Sequence, residues 1–518
     1  MSLWSSAIWL LTRYLDIYAN SLFLLSGEVV GSWVLFAVLS SRNWLYDHVF
    51  DIFDEPLAWN VSKWINDREY PEGLMHFFGI FGSSYVVPTS PAALTDVLST
   101  HAYDYSKPSA FKRYTTRFWG HGIISQEQDE HRTHRKTYLS VFNQSNVARL
   151  NSTLFAKSMQ FVDRVSDTCE ESGIQDITGL KSAVIPIYEL CALVSLDVDG
   201  IFSLDFDFNT ICGENREIFE AHETLFSSTP QVRKLFLLYN IAPQWLLDIF
   251  PSSAAKKLDA AHDLLAGVCR KILREHLAHP AKDDAKAVDF ARNLVNKNLY
   301  NEDAAISQIL VILGAGYEST GGTLAWVFIC LARNPQIQEQ LRQELIEARK
   351  GPEPLGADAN YEKFVMLHAV VMEATRLYPA FAFLPRKAIR DTSIASQFIP
   401  KGTFVALSPH AHNYNKAVWG PKAAEFLPER WIDRSDPLRP RQNPLGGAPA
   451  TVCMMSYFHG ARSCVGRELA VAQMKRQVAL VVERFHLDPV GDPDPRPVGL
   501  FATTPPHDLK LHFTKLPC

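Results

Sequence analysis

A cysteine set among glycines and arginines is the first place in this 518-residue chain where chemistry could reside. The stretch reads Tyr457-Phe458-His459-Gly460-Ala461-Arg462-Ser463-Cys464-Val465-Gly466-Arg467, and an amphipathic segment, Arg467 to Phe485, follows it. A thiolate at the start of that predicted helix meets unpaired amides and the positive end of the dipole, both of which favour negative charge. Gly460 and Gly466 let the backbone turn tightly and a flat ligand come close, and Arg462 adds a charge two residues from the sulfur. Such a sulfur suits the axial position of an iron porphyrin. The plainer alternative is a free cysteine that fills a core gap.

A second chemical group, Gly314-Ala315-Gly316-Tyr317-Glu318-Ser319-Thr320-Gly321-Gly322, lies inside a long apolar stretch from Asn301 to Arg333. Each glycine costs a helix about 1 kcal/mol relative to alanine, so a local opening beside a ligand is expected there. Glu318, Ser319 and Thr320 could hold water and pass protons in that opening. Close helix packing, with Ser319 and Thr320 bonded back to the preceding turn, is the competing reading. Elsewhere, His131 and Arg135 are four apart on a predicted helix over 128–142, a cationic pair fit for an anionic partner or for a solvated face. Glu373 and Arg376, three apart on a helix predicted over about 361–377, can pair on one side of it.

The elements that must position these residues are mostly helical by pattern. Apolar residues recur three and four apart through 155–165, 185–194 and 258–276, and the 301–333 stretch is apolar nearly all round, as a core helix is. Short strands are expected within Phe78 to Pro88 and Phe398 to Leu407, with a helix at 91–100. From Phe111 to Ser125 the chain is aromatic and glycine-containing without clear period, which reads as a loop over a pocket.

Composition narrows the function. The formal net charge of -5 gives no basic excess for nucleic acid, and eight scattered cysteines without Cys-x-x-Cys pairs point to a reducing compartment rather than a disulfide framework or zinc site. Residues 21–40 form a roughly 20-residue apolar run of membrane-spanning length, flawed by Glu28 near its middle. No basic start and small-residue cleavage site mark a signal peptide. Residues 1–45 are therefore expected to be an uncleaved membrane anchor, and 46–518 one catalytic domain.

The cysteine loop resembles the haem-binding loop of the cytochrome P450 family, Phe-x-x-Gly-x-Arg-x-Cys-x-Gly. Tyr457 stands where the family usually has Phe, and Phe458 where a small residue is common. Three further motifs follow the family's order: His131 with Arg135, the acid and hydroxyls at 318–320 (Ser319 where Thr is usual), and Glu373-x-x-Arg376 with Arg430 from the Phe426-Leu-Pro-Glu-Arg430 segment. The resemblance covers the chain after about residue 70 and implies a mainly α fold with small β-sheets enclosing haem b. It implies Cys464 as the axial thiolate, with Phe458, Gly460, Arg462 and Gly466 shaping the haem loop. His131, Arg135 and Arg386 would hold the propionates, and Glu318, Ser319 and Thr320 would relay protons. Glu373, Arg376 and Arg430 would form a structural lock. Phe381, Phe383 and Phe501 would line an apolar pocket, with 225–250 as its mobile roof and membrane-facing entrance.

By the same resemblance the protein is an endoplasmic reticulum enzyme of fungal type with its body in the cytosol. It would spend O2 and two electrons from NADPH-cytochrome P450 reductase, with cytochrome b5 a further donor, to hydroxylate an apolar small molecule, and Arg132, Arg135 and Lys136 could dock the reductase. A terpenoid, polyketide or alkaloid is the expected substrate class. Desaturation, ring formation or rearrangement on the same haem, and a haem-binding sensor or carrier without turnover, are the alternatives.

Overall fold

The computed structural model describes residues 58–79, 83–176, 178–278, 290–296, 300–349, 351, 354–492 and 494–517. The expected span at 21–40 lies outside them. Among the described residues, no helix is long and apolar enough to cross a membrane.

The described residues divide into two compact units, 76–79 with 83–85, and the rest. In the first, the described part is a hairpin whose Gly79 amide donates to the Ser83 carbonyl at 2.8 Å. Ser84–Pro88 is a strand, as expected within the 78–88 stretch, whereas the other strand, Leu74–Phe78, lies almost wholly before that stretch.

The second unit is mainly helical and is built on one helix, Glu302–Ala332. Asn301 caps it by accepting from the Ala304 amide at 2.9 Å, and Glu302 and Asp303 in the first turn complement the dipole. It stops before Pro335, which opens the next helix, Pro335–Glu347. Nearly every residue from Ala305 to Ala332 is buried, as its uniform apolarity requires.

This helix is continuous through the glycines, which corrects the expected opening. Other helices pack so close that side chains would not fit. A Cβ on Gly314 would stand 2.7 Å from the Phe226 ring, one on Gly321 2.7 Å from the Ala192 Cα, and one on Gly316 would run into the Asp199 carboxylate. The partners are the helices Ile187–Leu204 and Arg216–Phe226. The glycines therefore exchange helix propensity for close approach.

Among the described residues four sheets accompany the helices, the larger two having four and five strands. Phe485–Pro489, Lys510–Lys515, Lys181–Pro186 and Ile174–Gln175 lie in that order, with Leu487 opposite Phe513 and Leu511 opposite Ile185. In the other, Leu384–Ala388 pairs with both Phe404–Leu407 and Tyr105–Ser106, placing Arg386 opposite Val405 and Lys387 opposite Ser106.

The Phe111–Ser125 stretch departs from expectation, because Ser109–Phe118 is a helix. Ala110, Tyr114 and Phe118, four apart, are all buried, and Tyr114 packs on Phe236, Tyr239 and Phe501. That spacing is a helical signal in the sequence.

Candidate haem-thiolate site

The cysteine helix runs Arg467–Arg484, with Gly466 before its first residue. Cys464 stands at that start, and its amide donates to the Tyr457 carbonyl at 2.8 Å, closing the loop on itself. Two backbone positions make the loop demanding. Gly460 has φ +66°, and a Cβ there would run into the Leu98 carbonyl oxygen. Phe458 has φ 54° and ψ -173°, a region that costs a bulky residue about 1–3 kcal/mol. The loop is held in a shape the chain alone would not choose.

Cys464 is an exposed residue at the start of this helix. Desolvation pushes its thiol pKa up. The Gly466 and Arg467 amides and the Arg135 and Arg467 charges pull the other way without winning. The helix start thus eases ionisation but does not complete it. A coordinated metal ion would, since it deprotonates a thiol outright.

Cations collect beside this loop. Arg135, from the helix Gln128–Val141, donates to the Ser463 carbonyl at 2.7 Å and the Ser463 hydroxyl at 2.8 Å. Glu127 takes an ion pair from Arg462 and another from Lys107 at 3.3 Å, and the Lys107 amide donates to it at 2.8 Å. Buried Arg386 donates to its neighbour's carbonyl, that of Pro385, at 3.2 Å. His131, also buried, has Nδ1 3.1 Å from the Tyr103 hydroxyl.

The pKa shifts record a surplus of positive charge. Burial pushes Lys107 down to about 7 and Arg386 down to about 10, with Arg462 lowering both. Burial also lowers His131, and Arg462, Lys107, Arg135 and Arg386 lower it further. Burial raises Glu127, but Lys107, Arg462 and Arg386 outweigh that and hold it below the usual carboxylate range. The Nε of Arg462 is buried without a partner. Three cations against one carboxylate, all largely out of water, are costly unless anionic groups join them. An exposed cysteine beside surplus cations is the donor set that haem, with its iron and two propionates, requires.

The lock residues meet in full. Glu373 and Arg376, on the helix Val365–Leu377, form a two-point pair at 2.8 and 2.9 Å, both completely buried. Glu373 also accepts from Arg430 at 2.8 Å, the Trp431 indole at 2.8 Å and the Leu427 amide at 3.0 Å. Sequence reasoning missed the link from this lock to the cysteine loop. Asn413 donates to the Arg376 carbonyl and the Ser456 hydroxyl, each at 2.8 Å, and accepts from the Met455 amide at 3.0 Å. Ser456 donates to the Thr375 carbonyl at 2.7 Å. A lone Asn carries no motif that would have exposed it. Lys107, Glu127 and Tyr103 were missed as well.

On the central helix, the Ser319 hydroxyl donates back to the Ala315 carbonyl at 2.5 Å, the back-bond of the packing reading. Thr320 is buried. Buried Glu318 leaves Oε2 without a partner, and burial, with Glu223 adding to it, pushes its pKa well up. Phe501 packs at 4.9 to 6.4 Å against Phe111, Tyr114, Trp119 and Phe236, an aromatic group that includes one of the expected pocket residues. Phe381 and Phe383 are half-buried.

Residues 67–513 match the family described as Cytochrome P450, so the chain belongs to that family of haem-thiolate monooxygenases. It is similar to the cytochrome P450 monooxygenase buaD of Petromyces alliaceus, 28% identical over 88% of this chain and 86% of the relative. It is also similar to the cytochrome P450 monooxygenase ptmK of Penicillium ochrochloron, 27% identical over 92% of each. Among solved structures, the cytochrome P450DA haem domain superposes with a TM-score of 0.70 at 18% identity, over 89% of this chain and 92% of that one.

Proposed function

We propose that this protein is a membrane-associated monooxygenase that uses haem b, O2 and two electrons relayed from NADPH by a cytochrome P450 reductase to oxidise an apolar secondary metabolite. The observation that carries it is the exposed Cys464 at the helix start beside buried cations. Cys464 would hold the iron, Arg135, Arg386, Arg462 and His131 would meet the propionates, and Phe458, Gly460 and Gly466 would shape the loop for the porphyrin. When bound, the haem supplies dioxygen activation, which electron donation from the thiolate favours. Glu318, Ser319 and Thr320 manage protons on the central helix. The Ser319 hydroxyl shares its proton with a backbone carbonyl, so the acid and Thr320 carry more of that task.

Fungal relatives named as P450 monooxygenases support the secondary-metabolite reading. The aromatic group around Phe501 supports an apolar substrate. Trp245, Ile249 and Phe250, exposed by 61 to 72%, support lipid contact beside the entrance. Exposed Arg132 and Lys136 support a basic face for the reductase.

The test is the ferrous carbon monoxide difference spectrum of the purified holoprotein. The expected result is the long-wavelength Soret band of thiolate ligation, lost in Cys464→Ser. Folded protein whose haem spectrum ignores that substitution would overturn the assignment.

A further inference from the structure

The C-terminal segment reaches the aromatic group through a short closed loop. Val498 and Thr504 pair backbone to backbone, each amide donating to the other's carbonyl at 2.9 Å, and Phe501 stands midway between them. The loop has little slack, because Gly499 has φ +124° and a Cβ there would run into the Ala502 carbonyl oxygen. Arg233 donates to the Gly499 carbonyl at 3.3 Å, and the Thr503 amide donates to that of Ala380 at 2.6 Å. Just past the loop's base, Nε2 of His507 lies 3.5 Å from the Thr504 hydroxyl and Nδ1 lies 3.8 Å from Oε2 of Glu223, on the helix Arg216–Phe226. The His507 ring stacks on Tyr188 at 4.2 Å, and Glu223 accepts at Oε1 from the Tyr317 and Tyr188 hydroxyls at 3.3 and 3.4 Å. The far end of that helix carries Phe226, which stacks on Trp119 at 4.7 Å, and Trp119 meets Phe501 edge-on at 4.9 Å. One helix thus holds the base of the loop through Glu223 and its tip through aromatic contact.

We propose that Glu223 and His507 form a clasp that positions Phe501 and thereby sets how bulky an apolar substrate the site admits. The proposal deepens the monooxygenase reading by naming what limits the size of its substrate, and it rests on that reading. Glu223 and His507 are positioning residues, since Phe501 meets the substrate and the pair acts only through the loop. When the clasp opens, the loop keeps its bonds to Arg233 and Ala380 but its base loses the anchor on the helix Arg216–Phe226, and Phe501 gains room to give way.

The surroundings of the pair make its grip depend on pH. Burial raises the Glu223 carboxyl to about 7, with Tyr317, Tyr188 and Arg216 opposing the rise and Glu189 adding to it. Buried His222 precedes Glu223 on its helix, and the charge of Glu223 in turn raises Glu318 on the central helix. Burial lowers His507, and Asp508 opposes that. Near neutral pH the two residues therefore share about one proton and titrate as a pair. Acid that protonates both leaves the imidazolium without an anion, and alkali that strips both leaves the carboxylate without a cation. The clasp is tightest near neutrality and loosens on either side.

Azole binding to the ferric holoprotein tests the clasp without turnover. The Soret shift gives the affinities of phenylimidazole and of its biphenyl homologue, and the ratio of biphenyl to phenyl affinity reports the room at Phe501. In the wild type that ratio should be lowest near about pH 7 and rise toward about pH 5 and about pH 9. Glu223→Gln, and His507→Phe, which keeps an aromatic ring against Tyr188, should each raise the ratio at neutral pH at least about threefold and flatten its pH profile. Phe501→Ala should raise it as well, and adding His507→Phe to Phe501→Ala should change it no further. A merely structural loss would weaken both azoles together and leave the ratio alone. A wild-type ratio that is flat with pH, a ratio unchanged in either pair variant, or an effect of His507→Phe that persists without Phe501 overturns the clasp. Failure of the wild type to oxidise NADPH with reductase, while the ratio and its profile behave as expected, counts against the monooxygenase reading and leaves the clasp supported.

Discussion

Neighbouring residues on one helix are set to titrate with opposite effects on stability. His222 is buried with both ring nitrogens unpartnered, and burial pushes its pKa down to about 3 from 6.5. The unfolded chain binds that proton below pH 6.5 and the folded chain does not, so this contribution is full above 6.5 and is lost as pH falls toward 3. Glu223 runs the other way. Its carboxyl is raised from 4.5 to about 7, so the folded chain holds a proton that the unfolded chain releases, and stability falls as pH rises through that window. Melting of the holoprotein at pH 5.5 and 7 should separate them. Glu223→Gln should remove about 1–2 kcal/mol of loss on the rise, and His222→Leu about 1 kcal/mol of loss on the fall. Equal slopes in wild type and variants would show that neither group is buried as described.

The central helix shows why propensity is a poor guide once helices touch. On an isolated helix, Gly316→Ala and Gly321→Ala would each add up to about 1 kcal/mol. Here the new methyl meets the Asp199 carboxylate in one case and the Ala192 backbone in the other. Backbone cannot move aside as a side chain can, so Gly321→Ala should destabilise by about 1–3 kcal/mol and Gly316→Ala by less. Thermal melts of the two variants would rank them. A stabilised Gly321→Ala would mean that the helices are not in close contact there. The same element explains a misreading. The glycines suggested an opening because sequence shows only their cost to the helix, and the compensation comes from other helices far back along the chain, at Phe226, Asp199 and Ala192.

Across the whole molecule, the lock ties the strained cysteine loop to the helix Val365–Leu377 through Asn413 and Ser456. Glu373 accepts from Arg376, Arg430, Trp431 and Leu427 with no exposure to water. Removing its charge leaves buried guanidinium uncompensated, so Glu373→Ala should cost about 3–5 kcal/mol and reduce the yield of folded holoprotein. Denaturant unfolding and haem content, measured together, check this. A variant that keeps both would show the lock to be dispensable. The helical body, the cysteine loop, the His131 and Arg135 pair and the lock were all legible in the sequence. The loop, the His131 and Arg135 pair and Glu373 with Arg376 are written in local spacing, three or four residues along a helix or fixed offsets around one cysteine, while Arg430 came with the resemblance. Sequence alone also marked Phe458 as unusual. Tertiary structure decided that Lys107 and Glu127 join the cation group and that Asn413 couples lock to loop. Those residues stand far apart along the chain, and each is an ordinary side chain until packing takes it out of water, where charge and hydrogen-bond partners become costly to lack.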